Sequence, residues 1–484
     1  MKASNWFTTT YFYLFLCISI LFPFTSAYSQ SDSLLNYLEI AARNNPTVLQ
    51  RFAEYEAALQ KVPQVGSLPD PDISLGVFLS PMELIAGNQL ADIRIMQMFP
   101  WFGVIKYAKD EMSLMAKAKY ELFRDAKLQV FYDVQRTWYE LNKVKQNIRV
   151  SEKNIVILRT IERLAIVKFK SAPTGSSPSS SGSGMSSSSN QRTSSGSSGM
   201  NSMGGNTGNA AGSNSNQAAP AMQSKSMGSA SGGSGLSDIY RIQIETGELQ
   251  NNIELLKNQR NTISAQFNSY LNRPPDAPVA IPDTLIAGIF QPSLLALPDS
   301  SFRNNPMLGM LQFEQKSLEA RKQMVAKMGY PMIGLGLNYS VINKSEMSTS
   351  PMNGEDMIMP MITATLPIYR KKYKAMKAEA ELLKSASAQN YKSTANALQT
   401  EYYQAIQLYL DAQRRTKLYA EQYRLASKSL DIMFKSFASS GTDLSDILRV
   451  RQQTLDYEYK QMESIADYNI SIAWIKRLGK VEIR

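Results

Sequence analysis

The sequence predicts an α+β fold in which long helices and short amphipathic strands follow one pattern twice. Three observations predict it. Short landmarks recur in the same order, two long stretches lack proline, and segments in each half alternate apolar with small residues. The landmarks are NNP at 44–46 and 304–306, FPWF at 99–102 and LPIY at 366–369, and LSDIYR at 236–241 and LSDILR at 444–449. Since three ordered matches are hardly accidental, we infer an internal duplication, with a first repeat at 30–285 and a second at 286–484.

Each repeat carries two strand candidates. In residues 332–341 every second residue is apolar and those between are glycine, asparagine or serine, and residues 73–79 follow a similar alternation. The partner segments, at 91–99 and 358–366, are less regular. Such segments of about nine or ten residues have the length that a tilted strand needs to cross a bilayer. The strand pattern alone fits a hairpin of a soluble protein equally well.

The two stretches without proline, residues 104–170 and 371–438, also lack glycine in their interiors. Each predicts one helix about 100 Å long at ~1.5 Å per residue. In the second, apolar and small residues recur at alternating steps of three and four, which predicts a heptad seam with one polar break near Arg415. Shorter helices at 238–271 and 446–478 are expected to run back antiparallel to the long ones.

Residues 1–29 are typical of a secretory signal peptide. An apolar run at 11–24 is followed by small residues, and we expect cleavage near Ala27 or Ser29. The single cysteine, Cys17, lies in this run, so the mature chain is expected to have no thiol, disulfide or lipid anchor. No later stretch reaches the roughly 18 apolar residues of a membrane helix, so any membrane contact is expected to use strands or surfaces.

Composition argues against several function classes. The formal charge is +11, but lysines and arginines alternate with acids along the helical patterns, which indicates a solvated surface and no nucleic-acid partner. Histidine is absent, which removes the commonest general base and metal ligand. Without histidine and mature cysteine, serine or cysteine triads and most zinc sites are excluded, so we expect neither an enzyme nor a cofactor.

Residues 171–235 differ in composition from the rest of the chain. They consist almost wholly of serine, glycine, asparagine, alanine and threonine, without aromatic residues, leucine, isoleucine, valine or acids. Such a segment cannot bury a core and is predicted to be disordered. It nevertheless contains five methionines.

The layout over residues 33–479 resembles the TolC-type outer-membrane efflux protein family. The resemblance rests on the duplicated order of helix, hairpin, long helix, turn and helix, and on the turn FASSGTDLSDIL at 437–448. It implies a homotrimer in which each protomer gives four strands to one shared β-barrel in the outer membrane, with its helices forming a coiled-coil tunnel across the periplasm. It also implies passive conduction of substrate. The expected partners are a periplasmic adaptor and an inner-membrane pump, expected to be of the RND type.

The same resemblance places the helical turns near Gly441 and at 171–235 at periplasmic tips, where the duct closes. The tip residues implied are Asp238, Arg241, Gly441, Thr442, Asp443, Asp446 and Arg449. The chain departs from the family pattern in the insert and in two arginines, which stand where the family often carries a second aspartate. The aspartates either line the aperture beside these arginines or cap helix N-termini, and the two roles are compatible.

Methionine thioethers suit soft ions such as Cu(I) and Ag(I). The candidate ligands are Met185, Met200, Met203, Met222 and Met227 in the insert, and Met347, Met352, Met357, Met359 and Met361 in or beside the second hairpin loop. For Met96, Met98 and the helix methionines, packing is the favoured explanation. A heavy-metal exit duct is therefore predicted, with drug, general solute or type I secretion export as the alternative. A periplasmic coiled-coil structural or adaptor protein is the alternative from another class.

Overall fold

The computed structural model describes residues 33–171, 234–289, 304–349, 351–438 and 443–479. The signal peptide predicted at 1–29, the insert methionines, Gly441 and Thr442 lie outside these ranges. The elements in chain order are α1 (Ser33–Asn44), α2 (Pro46–Gly66), β1 (Asp72–Leu84), β2 (Gly87–Phe99), α3 (Val104–Ser171), α4 (Ser234–Tyr270), α5 (Pro306–Met328), β3 (Met332–Asn343), β4 (Met357–Thr365), α6 (Arg370–Ala438) and α7 (Leu444–Gly479). Each strand and long helix expected from the sequence lies where it was predicted, within a few residues.

The chain divides into two compact units. One comprises Met1–Ile155 and Leu249–Arg484, and the other comprises Val156–Glu248. The sheet and the helices α6 and α7 belong to the first unit. The second unit contains the C-terminal part of α3 and the N-terminal part of α4, the two helix ends that border the insert.

The repeated asparagine-proline step starts a helix in each half. Pro46 and Pro306 stand in the first turn of α2 and α5, where a missing N–H costs nothing. The Asn45 side chain accepts hydrogen bonds from two N–H groups of that turn, at 2.9 and 3.3 Å, and Asn305 accepts one at 2.9 Å. Asn45 also donates to the carbonyl of Tyr270 at 2.8 Å, which joins the start of α2 to the end of α4.

The four strand segments form one antiparallel sheet with the order β1-β2-β3-β4 in the described part of the chain. The turn from β1 to β2 uses Gly87, whose φ of 125° suits glycine. The pairing of β2 with β3 joins the two repeats, and Ile95 lies opposite Leu337 there. A register shift interrupts the β1–β2 pairing between Val77 and Met82. Because the sheet takes strands from both halves, neither repeat completes it alone.

Helix α6 runs antiparallel to α7, as predicted. Arg415 donates to Asp467 at 2.8 Å, and the indole of Trp474 donates to Glu401 at 2.8 Å, so residue numbers fall along α7 as they rise along α6. The Arg415–Asp467 ion pair explains the polar break in the seam. The charge is neutralised by the partner helix, which lets the two helices stay in contact across the break.

The heptad seam of α6 is buried against α5 and α7. Its members Leu398, Tyr402, Ala405 and Tyr409 pack with Leu308, Ile472, Ile475 and Leu478. Burial, helped by a hydrogen bond with Tyr468, raises the pKa of Tyr409 to about 12. The phenol is therefore neutral at physiological pH, as a buried seam requires.

The segment that links the repeats is held against the helices. Lys145 of α3 donates to Asp283 at 2.9 Å, and Asn469 of α7 accepts the N–H of Gly288 at 2.7 Å. Leu285 lies between these bonds and packs on Ile465. The link therefore bridges a helix of the first repeat and a helix of the second.

We expect Asn45→Ala to lower the stability of the protein, because it removes the cap of α2 and the bond to the Tyr270 carbonyl. The loss of unfolding free energy should be about 1 to 2 kcal/mol, measured by denaturant unfolding followed by circular dichroism. Asn44→Ala is the matched control, since Asn44 is exposed. Equal losses for the two variants would contradict the structural role assigned to Asn45.

Candidate functional site

One face of the sheet is an exposed apolar surface. Directly opposed residues of antiparallel strands share a face, so the register assigns each side chain to one side. The apolar face comprises Ile73, Leu75, Val77, Ile93, Ile95, Ile333, Leu335, Leu337, Ile358 and Ile362, with exposures between 38% and 80%. Gln97, opposite Leu335, and Tyr339, opposite Ile93, also lie on this face. An exposed surface that is otherwise apolar is typical of contact with a partner or with lipid.

The opposite face carries polar and small residues together with methionines. It comprises Asp72, Ser74, Gly76, Asp92, Arg94, Met96, Met98, Gly334, Gly336, Asn338, Ser340, Met357, Met359, Met361 and Thr363. Asn338 and Ser340 of this face are only 9% and 4% exposed, although no helix of the described chain packs on the sheet. Gln89 of the neighbouring strand donates to the Ser340 hydroxyl at 3.2 Å, so longer side chains on this face help to cover the small residues of β3.

Aromatic and basic side chains gather where the strands meet the helices. The rings of Trp101 and Tyr330 stack with centroids 5.3 Å apart, and the Lys327 ammonium lies 5.6 Å from the Tyr330 centroid. Phe102 and Tyr369 nearby are more than four-fifths exposed. Aromatic and lysine side chains at strand ends are typical of a membrane–water boundary. The sequence analysis did not identify this cluster, because its members come from three separate segments.

The second helical turn combines a buried apolar side with an exposed charged side. Asp443 immediately precedes α7, and Ile447 and Leu448 of its first turns are fully buried. Asp446 and Arg449 are exposed and form an ion pair of 2.9 Å. The structure thus brings together one aspartate and one arginine that the sequence singled out for this tip.

The first helical turn belongs to the smaller unit. Asp238 and Arg241 lie in the first two turns of α4, three residues apart like Asp446 and Arg449. Behind them Ile242 is fully buried. The two tips therefore repeat one arrangement, in which an aspartate is followed after three residues by an arginine and a buried isoleucine lies within the same turns.

The methionines divide between strand and loop. Met347 and Met352 lie between β3 and β4 and are exposed, as expected. Met357, Met359 and Met361 lie within β4, beside that loop. Among the described residues no cluster of three or more histidine, cysteine, aspartate or glutamate side chains suits a metal ion.

Helix α6 carries a second apolar stripe that the sequence analysis did not identify. Tyr403, Leu410, Leu418, Leu425 and Ile432 recur every seven or eight residues and are 48–66% exposed. At about 100° per residue they fall within an arc of about 80°, on the side of α6 opposite its buried seam. Counting heptads from a second offset would have found them.

No helix in the described part of the chain is long and apolar enough to cross a membrane.

The fold matches solved structures, whereas no protein-family model and no curated protein matches the chain. VceC, an outer membrane protein of Vibrio cholerae, is 11% identical with a TM-score of 0.65 over 92% of this chain and 96% of that one. The CmeC outer membrane channel of Campylobacter jejuni is 13% identical with a TM-score of 0.66 over 92% and 85%. The MtrE outer membrane channel of Neisseria gonorrhoeae, in its open state, is 13% identical with a TM-score of 0.63 over 92% and 88%. The chain therefore has the protomer fold of the TolC-type outer-membrane efflux channels, which confirms the resemblance at the level of the fold.

Proposed function

We propose that the mature chain is one protomer of a homotrimeric exit duct in the outer membrane. It catalyses no reaction and conducts substrate passively to the exterior. The observation that carries the proposal is the two-faced sheet, apolar on one side and polar on the other, within a fold shared with outer membrane channels. In the closed barrel the polar side would be the concave one. Residues 1–29 would direct the chain across the inner membrane as a cleaved signal peptide.

The sheet is suited to lipid on one side and water on the other. In hydrocarbon every backbone N–H and C=O must be paired, so an open sheet edge is costly. Strands β1 and β4 are the two edges of the sheet in a single protomer. Pairing β4 of one copy with β1 of the next, in a ring of three, would close a barrel of about twelve strands. The aromatic cluster at Trp101 and Tyr330 would then lie at the membrane boundary.

The second stripe on α6 supports contact between copies. One side of α6 is covered by α5 and α7 of the same chain, while Leu410 and Leu425 on the other side are about half exposed. A helix in the wall of a tube has a neighbour on each side, so it needs an apolar surface on both sides. We assign the stripe to a second copy of the chain, since the sheet edges already call for copies side by side.

Leu410→Glu combined with Leu425→Glu should prevent trimer formation, because two carboxylates would be buried at the contact between copies. Size-exclusion chromatography with light scattering in detergent should give a trimer for the unchanged chain and a monomer for the variant. Circular dichroism should show unchanged helix content.

The matched control is Gln404→Glu with Gln422→Glu, which adds the same two charges on the flank of α6, about 100° from Tyr403 at ~100° per residue. It should remain trimeric. A trimeric leucine variant, or a control that dissociates equally, would contradict the assignment of the stripe to a second copy.

The helical tips are the proposed docking and gating region. In the smaller unit Leu236, Tyr240 and Ile244 of α4 are 55–63% exposed and recur every four residues, so they share one side of the helix. Exposed apolar residues at helical spacing suit a helical hairpin of a periplasmic adaptor. The adaptor would connect the duct to an inner-membrane pump of the RND type.

The trimer should form ion-conducting pores in planar lipid bilayers, and Arg449→Asp should make them more cation-selective. The substitution removes the cation paired with Asp446 and adds an acid at each of three tips. The measurement is the reversal potential in a potassium chloride gradient. Arg424→Asp is the matched control, because Arg424 is also exposed and pairs with an acid three residues before it, Glu421.

Equal shifts for Arg449→Asp and Arg424→Asp would contradict a narrow point at the tip. A properly assembled trimer without any conductance would contradict the duct itself.

The substrate is proposed to be a soft metal ion, Cu(I) or Ag(I). Five methionines occur in an insert with no other large apolar side chain, where they have no core to serve. Drug, general solute or type I secretion export is the competing proposal, in which these methionines have no role.

The isolated segment 171–235 should bind Cu(I) at micromolar concentration in a titration monitored with a competing chelator. The same peptide with Met185, Met200, Met203, Met222 and Met227 replaced by serine should not bind. Binding no tighter than millimolar, or equal binding by the two peptides, would remove this support for metal export.

A periplasmic coiled-coil structural or adaptor protein also has long heptad helices and no catalytic residues. The exposed apolar sheet face favours the duct, since a soluble protein would expose Leu75 and Leu335 to water. Cell fractionation separates the two. A duct should require detergent and resist heat as a trimer, whereas the alternative should appear in the soluble fraction.

A further inference from the structure

We infer that four methionines on the polar face of the sheet, Met96, Met98, Met359 and Met361, form a row of thioether ligands for soft monovalent cations such as Cu(I) and Ag(I), in which neighbouring members share an ion. We call these four residues the methionine face. The inference rests on the proposed exit duct, whose interior the polar face would line. It adds Met96 and Met98 of β2 as ligands inside the sheet, on the same face as Met359 and Met361 of β4.

The register aligns these methionines across three strands. Met96 of β2 lies opposite Gly336 of β3, which lies opposite Met361 of β4. One step along, Met98 lies opposite Gly334. With strands about 4.8 Å apart, the Cα atoms of Met96 and Met361 are about 10 Å apart, and only a glycine stands between them.

The side chains of β2 lean over these glycines toward β4. A Cβ added to Gly336 would lie 3.6 Å from both Cβ and Cε of Met96, and one added to Gly334 would lie 2.6 Å from the sulfur of Met98. Glycine weakens a strand interior, so its presence twice in β3 needs a compensating reason. The space above Gly334 and Gly336 is occupied by the thioethers, which supplies that reason.

Charges on the polar face favour a cation. Asp72 lies opposite Met96, and Asp92 lies four residues before Met96 on the same face. Arg94, between Asp92 and Met96, is the single basic residue assigned to this face in the described strands, so the balance there is one negative charge. Carboxylates attract any cation, while thioethers select soft ones.

Ordinary packing explains these methionines less well. A core methionine fills gaps among apolar side chains. Here the neighbours on the face are Gly334, Gly336, Asn338 and charged residues, and Met359 remains 45% exposed. Methionine at that exposure contributes little apolar burial, so its chemistry is the better reason for its place.

The test uses the full mature chain as the detergent-solubilised trimer with ¹³C-labelled methionine methyl groups. Silver nitrate is the probe, because Ag(I) does not change oxidation state under these conditions. In carbon–proton spectra the methyl signals of Met96, Met98, Met359 and Met361, assigned by single leucine substitutions, should shift at micromolar Ag(I). Potassium nitrate should shift none of them.

Met96→Leu with Met361→Leu should weaken Ag(I) binding at Met98 and Met359 at least tenfold. Met310→Leu with Met433→Leu, in α5 and α6, should leave it unchanged. Unmoved methyl signals at millimolar Ag(I), or equal affinity in the Met96/Met361 variant, would overturn the thioether site.

Conductance of the same samples separates this inference from the proposed function. A conducting trimer whose methionine face ignores Ag(I) would overturn the site and leave the duct standing. A trimer that binds Ag(I) at the methionine face but conducts nothing would support the site and overturn the duct.

Discussion

The two outer strands of the sheet impose the constraint on which the rest of the proposed assembly depends. In the described part of a single chain, β1 and β4 each leave one side of their backbone without a strand partner. In water those groups are hydrated, but beside the aliphatic face they would lie in lipid, where each unpaired group costs several kcal/mol. A neighbour that presents the complementary edge removes this cost without any new side-chain contact. An apolar face in lipid therefore requires enough copies of the chain to pair every edge strand.

The helices also need contacts both within the chain and between copies, and α6 has a different surface for each. On α6 the seam toward α7 mixes small and large residues, and its one charged residue, Arg415, forms an ion pair with Asp467. The opposite stripe is sparser, with polar residues between its leucines, and is exposed in the protomer. Seams of unequal quality suit two kinds of contact, a permanent one inside the chain and one between copies that forms only on assembly.

The sequence predicted the elements well because the residues that pack against distant elements recur at the spacing of a helix or a strand. The absence of proline and interior glycine located α6 to within a residue, and alternation located β3. What it missed are features set by registration between distant segments. The sequence predicts a strand that contains Met359 and Met361, but only the pairing of β4 with β3 and of β3 with β2 aligns Met361 with Met96. Trp101 and Tyr330 likewise stack although more than two hundred residues separate them. At the tips the spacing of Asp446 and Arg449 is visible in the sequence, but their ion pair is not.

A binding site inside a conduit must also release its ion. Conduction requires binding that is strong enough to admit an ion and weak or repeated enough to let it leave. Met357, Met359 and Met361 stand on alternate residues of one strand, about 7 Å apart by strand geometry, and continue the methionine face along the strand direction. A row of thioethers with few permanent neighbours would pass a soft cation from one to the next, whereas a closed cage of four would hold it. The open polar face and the single excess negative charge favour the row, so moderate affinity is what this geometry requires of a duct.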